Sequence, residues 1–227
     1  MIERIAVALD TAEWRELEAW CRLFGPRVGA LKLGLEAYLR WGERALEAAR
    51  EHAGRLFLDL KLHDIPNTVA GAVRSVRSRG ADLLTVHASG GPAMLAAAVE
   101  AAEDQLDVLA VTVLTHLDAA ALAALDLPGP GEERVRRWTG LAQEAGCAGV
   151  VCSPLEVAAL RAEHPAPFLF VTPGIRPAGS ERGDQRRVAT PASALAAGAD
   201  LLVIGRPLTR AADPIAALES LARELGD

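Results

Sequence analysis

Lysine is almost missing from this 227-residue chain: among 24 basic residues, only Lys32 and Lys61 are lysines. Guanidinium stays protonated at any working pH, whereas an ammonium can be tuned and can give up a proton. A chain that uses arginine for ordinary charge therefore keeps lysine where arginine cannot substitute; codon bias with two chance survivors is the competing explanation. Cysteine is scarce as well. Cys21, Cys147 and Cys152 form no CxxC pair and no spaced cluster, which argues against a disulfide framework and predicts buried, reduced thiols in a cytoplasmic compartment. No uninterrupted apolar run has the length a bilayer requires, and the N-terminal stretch lacks a basic region followed by an apolar core. The expectation is a cytoplasmic protein, neither exported nor embedded in a membrane. Positive net charge is absent too: a formal charge of −6 and a pI near 5.5 argue against a nucleic-acid partner. They leave room for an anionic small molecule at a local basic site.

What is present is ordinary for a packed globular core, with 51% hydrophobic and 24% charged residues. Apolar, β-branched runs alternate with Ala-, Leu-, Glu- and Arg-rich helical stretches, and this pairing recurs eight times. The strands are expected at residues 5–10, 30–35, 56–62, 83–89, 108–115, 149–153, 168–174 and 201–206, each followed by a helix. Eight parallel strands with helices outside make an α/β fold of the (β/α)8 TIM-barrel type, here a single domain over residues 1–227. The breaker run DLPGPGEE inside 118–133 reads as a decorated loop, because helical periodicity resumes directly after it.

Charge gathers in FLDLKLHDIPNT, Phe57 to Thr68. Strand alternation puts Phe57, Asp59, Lys61 and His63 on one face and Leu58, Leu60 and Leu62 on the other. If the leucines meet covering helices, Asp59 and Lys61 project into an interior where isolated charges are costly, so they must pair. Asp64 lies past the strand end, two residues before Pro66, on a turn leading into a helix. Barrel chemistry sits at the C-terminal ends of the strands, and polar residues collect at those expected ends: Asp10, Lys32, Asp59, Lys61, His87, Ser89, Thr115, Ser153 and Arg206. The seventh strand runs into a Gly-, Pro- and Arg-rich stretch without period, which reads as a lid over about 174–187; singly, Arg176, Arg182, Arg186 and Arg187 read as solvated loop charges. The eighth ends in VIGRPLT, where Gly205, Arg206 and a following helix N-terminus suit a phosphate. His63 and His87 lack ligand spacing, so no metal is expected.

These motifs, taken together, resemble the orotidine 5′-phosphate decarboxylase family, whose DxKxxDI..T signature is matched by Asp59, Lys61, Asp64, Ile65 and Thr68. The likeness extends through ALD at Ala8–Asp10, LKLG ending at Gly34, TVHASGG from Thr85, TVLT ending at Thr115, TPGIRP from Thr172, DQRRVATP from Asp184 and VIGR ending at Arg206. The resemblance implies decarboxylation of orotidine 5′-phosphate to uridine 5′-phosphate, the last step of de novo pyrimidine nucleotide synthesis, with no metal or organic cofactor. It implies that Lys61 protonates the ring carbon that loses CO2, within a charge network of Lys32, Asp59, Lys61 and Asp64. It further implies that Asp10 and Lys32 hold the ribose hydroxyls, that Ile65 belongs to the substrate site and that Thr115 lies near the pyrimidine. Arg176, Gln185, Gly205 and Arg206 would serve the phosphate, and Asp64 and Thr68 would enter the neighbouring subunit's site in a homodimer. His116 departs from the pattern, standing where relatives often carry a small hydroxyl residue.

The residues alone leave three rivals open. A phosphosugar decarboxylase or aldol-type synthase on the same barrel shares DxKxxD but holds an enediolate with a divalent metal. A Schiff-base aldolase would use Lys61 as a neutral nucleophile, which flanking carboxylates disfavour. A non-catalytic ribonucleotide-binding protein would keep the barrel and lose the chemistry.

Overall fold

Strand alternation builds two apolar layers from a single set of strands. In the computed structural model, which describes residues 1–176 and 189–226, the inward side chains of Ala6, Ala30, Leu83, Leu109, Val171 and Leu201 meet Phe57 inside a barrel. Their outward neighbours, among them Ile5, Leu31, Leu58, Leu84 and Leu202, join the larger layer between barrel and helices. Both periodicities agree with the expected pattern.

The barrel is closed and parallel, in the order β1 (Ile5–Ala8), β2 (Ala30–Gly34), β3 (Leu56–Leu62), β4 (Leu83–His87), β5 (Asp107–Val111), β6 (Gly149–Val151), β7 (Leu169–Thr172) and β8 (Leu201–Ile204). β8 pairs back onto β1 through Ala6 and Val203. Helices such as Trp14–Phe24, Pro66–Ser78, Gly91–Ala102 and Pro214–Leu225 cover the outside. Proline opens several of them, where its missing N–H costs nothing; before Pro214, Asp213 also accepts from the amides of Ile215 and Ala216, both at 3.0 Å.

Except for β3, the strands stop earlier than the sequence pattern suggests. Asp10 lies beyond β1, Thr115 beyond β5, Ser153 beyond β6 and Arg206 beyond β8. The physical reason is the taper of pairing at the rim: Thr112 still donates its amide to the Val151 carbonyl at 3.1 Å, and then the chain leaves the ladder. The functional candidates thus stand on the first residues of the βα loops, which can turn toward the barrel axis.

All three cysteines are buried and free. Burial pushes the Cys21 and Cys147 thiols up to about 12 and that of Cys152 well above its ordinary value, which makes them packing residues. Among the described residues no helix is long and apolar enough to cross a membrane.

Candidate active site

A cavity of about 510 Å³ opens at the C-terminal ends of the strands, a volume suited to a ligand of nucleotide size. Phe57, 1% exposed, forms its floor and separates it from the apolar interior beneath. One wall is apolar, from Val111, Val113, Leu114 and Val151, and Thr115 and His116 stand beside it.

The charged side rises from β1, β2 and β3. Lys32 donates to Asp10 Oδ2 at 3.2 Å and lies 3.3 Å from Asp59 Oδ2, while Lys61 donates to Asp59 Oδ1 at 2.7 Å. Two ammoniums and two carboxylates therefore alternate as Asp10, Lys32, Asp59, Lys61. Asp10 is held from behind by the Gly34 amide at 3.0 Å. A Cβ at Gly34 would lie 2.3 Å from Asp10 Oδ1, so glycine is what lets this carboxylate approach the strand.

Burial works against charge at Lys32 and Asp59, and pairing outweighs it. At Lys32 the desolvation penalty is overcome by the Asp59 and Asp10 carboxylates, which hold the ammonium above its ordinary value. Burial also pushes Asp59 up, but Lys32, Lys61 and the hydrogen bonds from Lys61 and Thr85 draw it down to about 2. The sign follows from linkage: a depressed carboxyl stabilises the fold above its unfolded value, and the gain is lost as pH falls through the folded one. Against the ordinary value of 3.8 the shift corresponds to about 2 kcal/mol. Lys32 behaves oppositely; its contribution is complete below 10.5 and lost only above it. Urea unfolding of the parent and Asp59→Asn across pH should show a stability gap that is flat near neutrality. It should shrink by about 2 kcal/mol as pH falls from 3.8 toward 2, and a gap unchanged at pH 2 would remove the assigned pairing.

Arg176, Gly205, Arg206, Thr209 and Arg210 also line the cavity, from the segments that follow β7 and β8. Burial and the neighbouring Arg206 cation together lower Arg176 from its ordinary value, a repulsion that a bound anion would relieve. At Gly205 a Cβ would meet the Ala8 Cβ at 3.4 Å and the Ala8 carbonyl oxygen at 3.7 Å, ordinary contacts, so no neighbouring atom of the chain requires glycine there. Its absent side chain leaves room on the cavity side. The helix that follows, Arg206–Thr209, is a single turn, so it adds little of the dipole expected from the sequence.

A family model described as orotidine 5′-phosphate decarboxylase / HUMPS matches residues 3–221. The chain belongs to this family. A relative from Thermobifida fusca named orotidine 5′-phosphate decarboxylase is 57% identical, over 99% of this chain and 97% of that protein. One of the same name from Anaeromyxobacter sp. is 55% identical, over 98% of both. Among solved structures, orotidine 5′-phosphate decarboxylase from Lactobacillus acidophilus superposes with a TM-score of 0.85 at 35% identity, covering 98% of this chain and 99% of that one. An uncharacterized conserved protein from Geobacillus kaustophilus gives 0.84 at 38%, covering 98% and 100%.

Of the residues that the decarboxylase-family resemblance singles out, the fold brings Asp10, Lys32, Asp59, Lys61, Thr115, Arg176, Gly205 and Arg206 around one cavity. Asp64, Ile65 and Thr68 are exposed outside it; the Asp64 carboxylate accepts from the Ile65 amide at 2.6 Å, and Ile65 is 66% exposed. Gln185, like most of the expected lid, lies outside the described residues. The two ends of that segment are joined, with Arg176 donating its amide to the Ala189 carbonyl at 3.0 Å.

His63 lies one residue past the end of the strand at Leu62, and its ring is 5.4 Å from that of His87. Burial, then His63 and Lys61, push His87 below its ordinary value, favouring the neutral imidazole. Among the described residues no group of three or more His, Cys, Asp or Glu is gathered to hold a metal ion. Thr85, Gly34, Thr209 and Arg210 escaped the sequence reading. The first three sit inside quoted motifs, and only Arg210, the residue after VIGRPLT, carried a readable charge.

Proposed function

We propose that this chain decarboxylates orotidine 5′-phosphate to uridine 5′-phosphate, with Lys61 as proton donor. The observation that carries the reading is the Asp10–Lys32–Asp59–Lys61 array in a cavity that is also lined by the guanidiniums of Arg176, Arg206 and Arg210. Such a pocket matches a substrate anionic at both ends, a ring carboxylate and a phosphate, and the relatives' names agree with it.

In the step itself the bond between ring carbon and carboxylate breaks heterolytically and CO2 leaves. The electron pair left on that carbon takes a proton from Lys61 Nζ, which becomes a neutral amine, and a proton from solvent later restores the ammonium. Ring resonance does not absorb that pair, so the barrier is high and preorganised charge must supply much of its reduction. An ammonium fixed by a 2.7 Å bond to Asp59 costs no reorganisation when the negative charge develops. Asp59 also repels a carboxylate placed beside it. Asp10 and Lys32 are assigned to the ribose hydroxyls, Thr115 to the base, and Arg176, Gln185, Gly205 and Arg206 to the phosphate. Closure of the 174–187 segment on the phosphate belongs to the same proposal, as do a place for Ile65 in the substrate site and a cytoplasmic homodimer in which Asp64 and Thr68 serve the neighbouring site.

Ultraviolet-monitored conversion of orotidine 5′-phosphate in EDTA tests the activity directly. Turnover that survives the chelator separates it from the metal-dependent synthase; turnover that stops and returns with a divalent ion would favour the rival. In the same assay Arg206→Ala should raise KM by about 10²-fold, the scale of a lost charge-assisted contact, with a smaller fall in kcat. An unchanged kcat/KM would remove the phosphate assignment.

A further inference from the structure

Between β3 and β4 the ladder slips. Leu58 pairs with Leu84 and Leu62 pairs with Val86, so Asp59, Leu60 and Lys61 all stand opposite Thr85 alone. A bulge of this kind leaves amides without ladder partners and bends the strand. Lys61 absorbs the bend with φ of +50°, a left-handed conformation that disfavours any side chain with a Cβ and persists only where its surroundings over-determine it.

Those surroundings converge on one hydroxyl. Thr85 Oγ1 accepts the orphaned Lys61 amide at 2.9 Å and donates to Asp59 Oδ1 at 2.9 Å, the same carboxylate oxygen that receives the Lys61 ammonium. The Thr85 side chain therefore touches the backbone of the lysine and the carboxylate that aims it. Thr85 is 0% exposed and does not line the cavity, so it cannot reach a ligand itself.

We propose that Thr85 is the positioning residue of this site: its hydroxyl fixes where the Lys61 ammonium and the Asp59 carboxylate meet, so that losing it slows chemistry while leaving substrate binding intact. The proposal rests on the reading of Lys61 as proton donor. An isosteric valine would strand the Lys61 amide and take a donor from Asp59 while filling the same space. Serine keeps both bonds and loses only a methyl group.

The test is steady-state kinetics of Thr85→Val, Thr85→Ala and Thr85→Ser beside Lys61→Ala, with cooperative unfolding checked for each. Thr85→Val and Thr85→Ala should lower kcat by about 10–100-fold, the range expected for an ångström-scale misplacement of a reacting group, with KM within about threefold of the parent. Thr85→Ser should return kcat to within about threefold, since its hydroxyl offers the same donor and acceptor. Parent-like kcat in the valine and alanine variants would overturn the proposal, as would a serine variant no better than valine. If neither valine nor alanine folds, the hydroxyl is a folding determinant and the positioning role is again lost. Failure of the underlying reading looks different: Lys61→Ala would then itself retain activity.

Discussion

Replacing Lys61 by alanine should lower kcat/KM by at least about 10⁴-fold, because one group supplies both the proton and the fixed positive charge at the developing carbanion. Binding of uridine 5′-phosphate should change by less than about tenfold, since the ammonium's contribution is concentrated in the transition state. Lys61→Arg should be nearly as inactive as Lys61→Ala. A guanidinium preserves the charge but releases no proton at working pH, and its planar fork does not fit a bond built for a point charge at 2.7 Å. The arginine variant carries particular weight in a chain that employs arginine almost everywhere else. Alanine retaining more than about 1% of parental turnover would sink the proton-donor role.

The second large effect concerns Asp64, which one chain leaves exposed at the rim. Asp64→Ala alone should lower kcat by about 10²–10⁴-fold, the scale for removing one preorganised charge from an active site. Mixed with Lys61→Ala after subunit exchange, it should regain about a quarter of parental activity. Half of the dimers would then be mixed, each with one pocket that combines an intact lysine with an intact aspartate. No recovery despite demonstrated exchange would show that Asp64 does not act across a subunit boundary. Ile65 at 66% and Leu39, on the helix Leu35–Trp41, at 79% are exposed large apolar side chains.

Much of this architecture is legible in the residues, and the part that is not has a physical cause. The eight strands announce themselves because a strand apolar on both faces needs both an inner and an outer layer, as Ala6 beside Val7 or Leu83 beside Leu84 show. Their ends do not announce themselves. TVLT from Thr112 to Thr115 has the composition of a strand, yet β5 stops at Val111 because the short β6 ends at its partner Val151. Asp59 and Lys61 are readable as a pair, since burial forces them together. Thr85 is not, because a threonine in a strand is ordinary β-branched filler until the register slip opposite it is known. Nor can the motif alone show that Gly34 makes room for Asp10.

The slip in β3 has a consequence for anyone transplanting this chemistry. On a regular strand an aspartate and a lysine two positions apart sit about 6–7 Å apart in height, whereas here the whole Asp59–Leu60–Lys61 segment climbs only as far as one residue of β4. Copying the letters onto an ideal barrel would carry the amine upward, out of level with its acid. What must travel is a pair of adjacent strands, miscounted against each other, so the smallest portable unit of this active site is a defect in the sheet rather than a list of side chains.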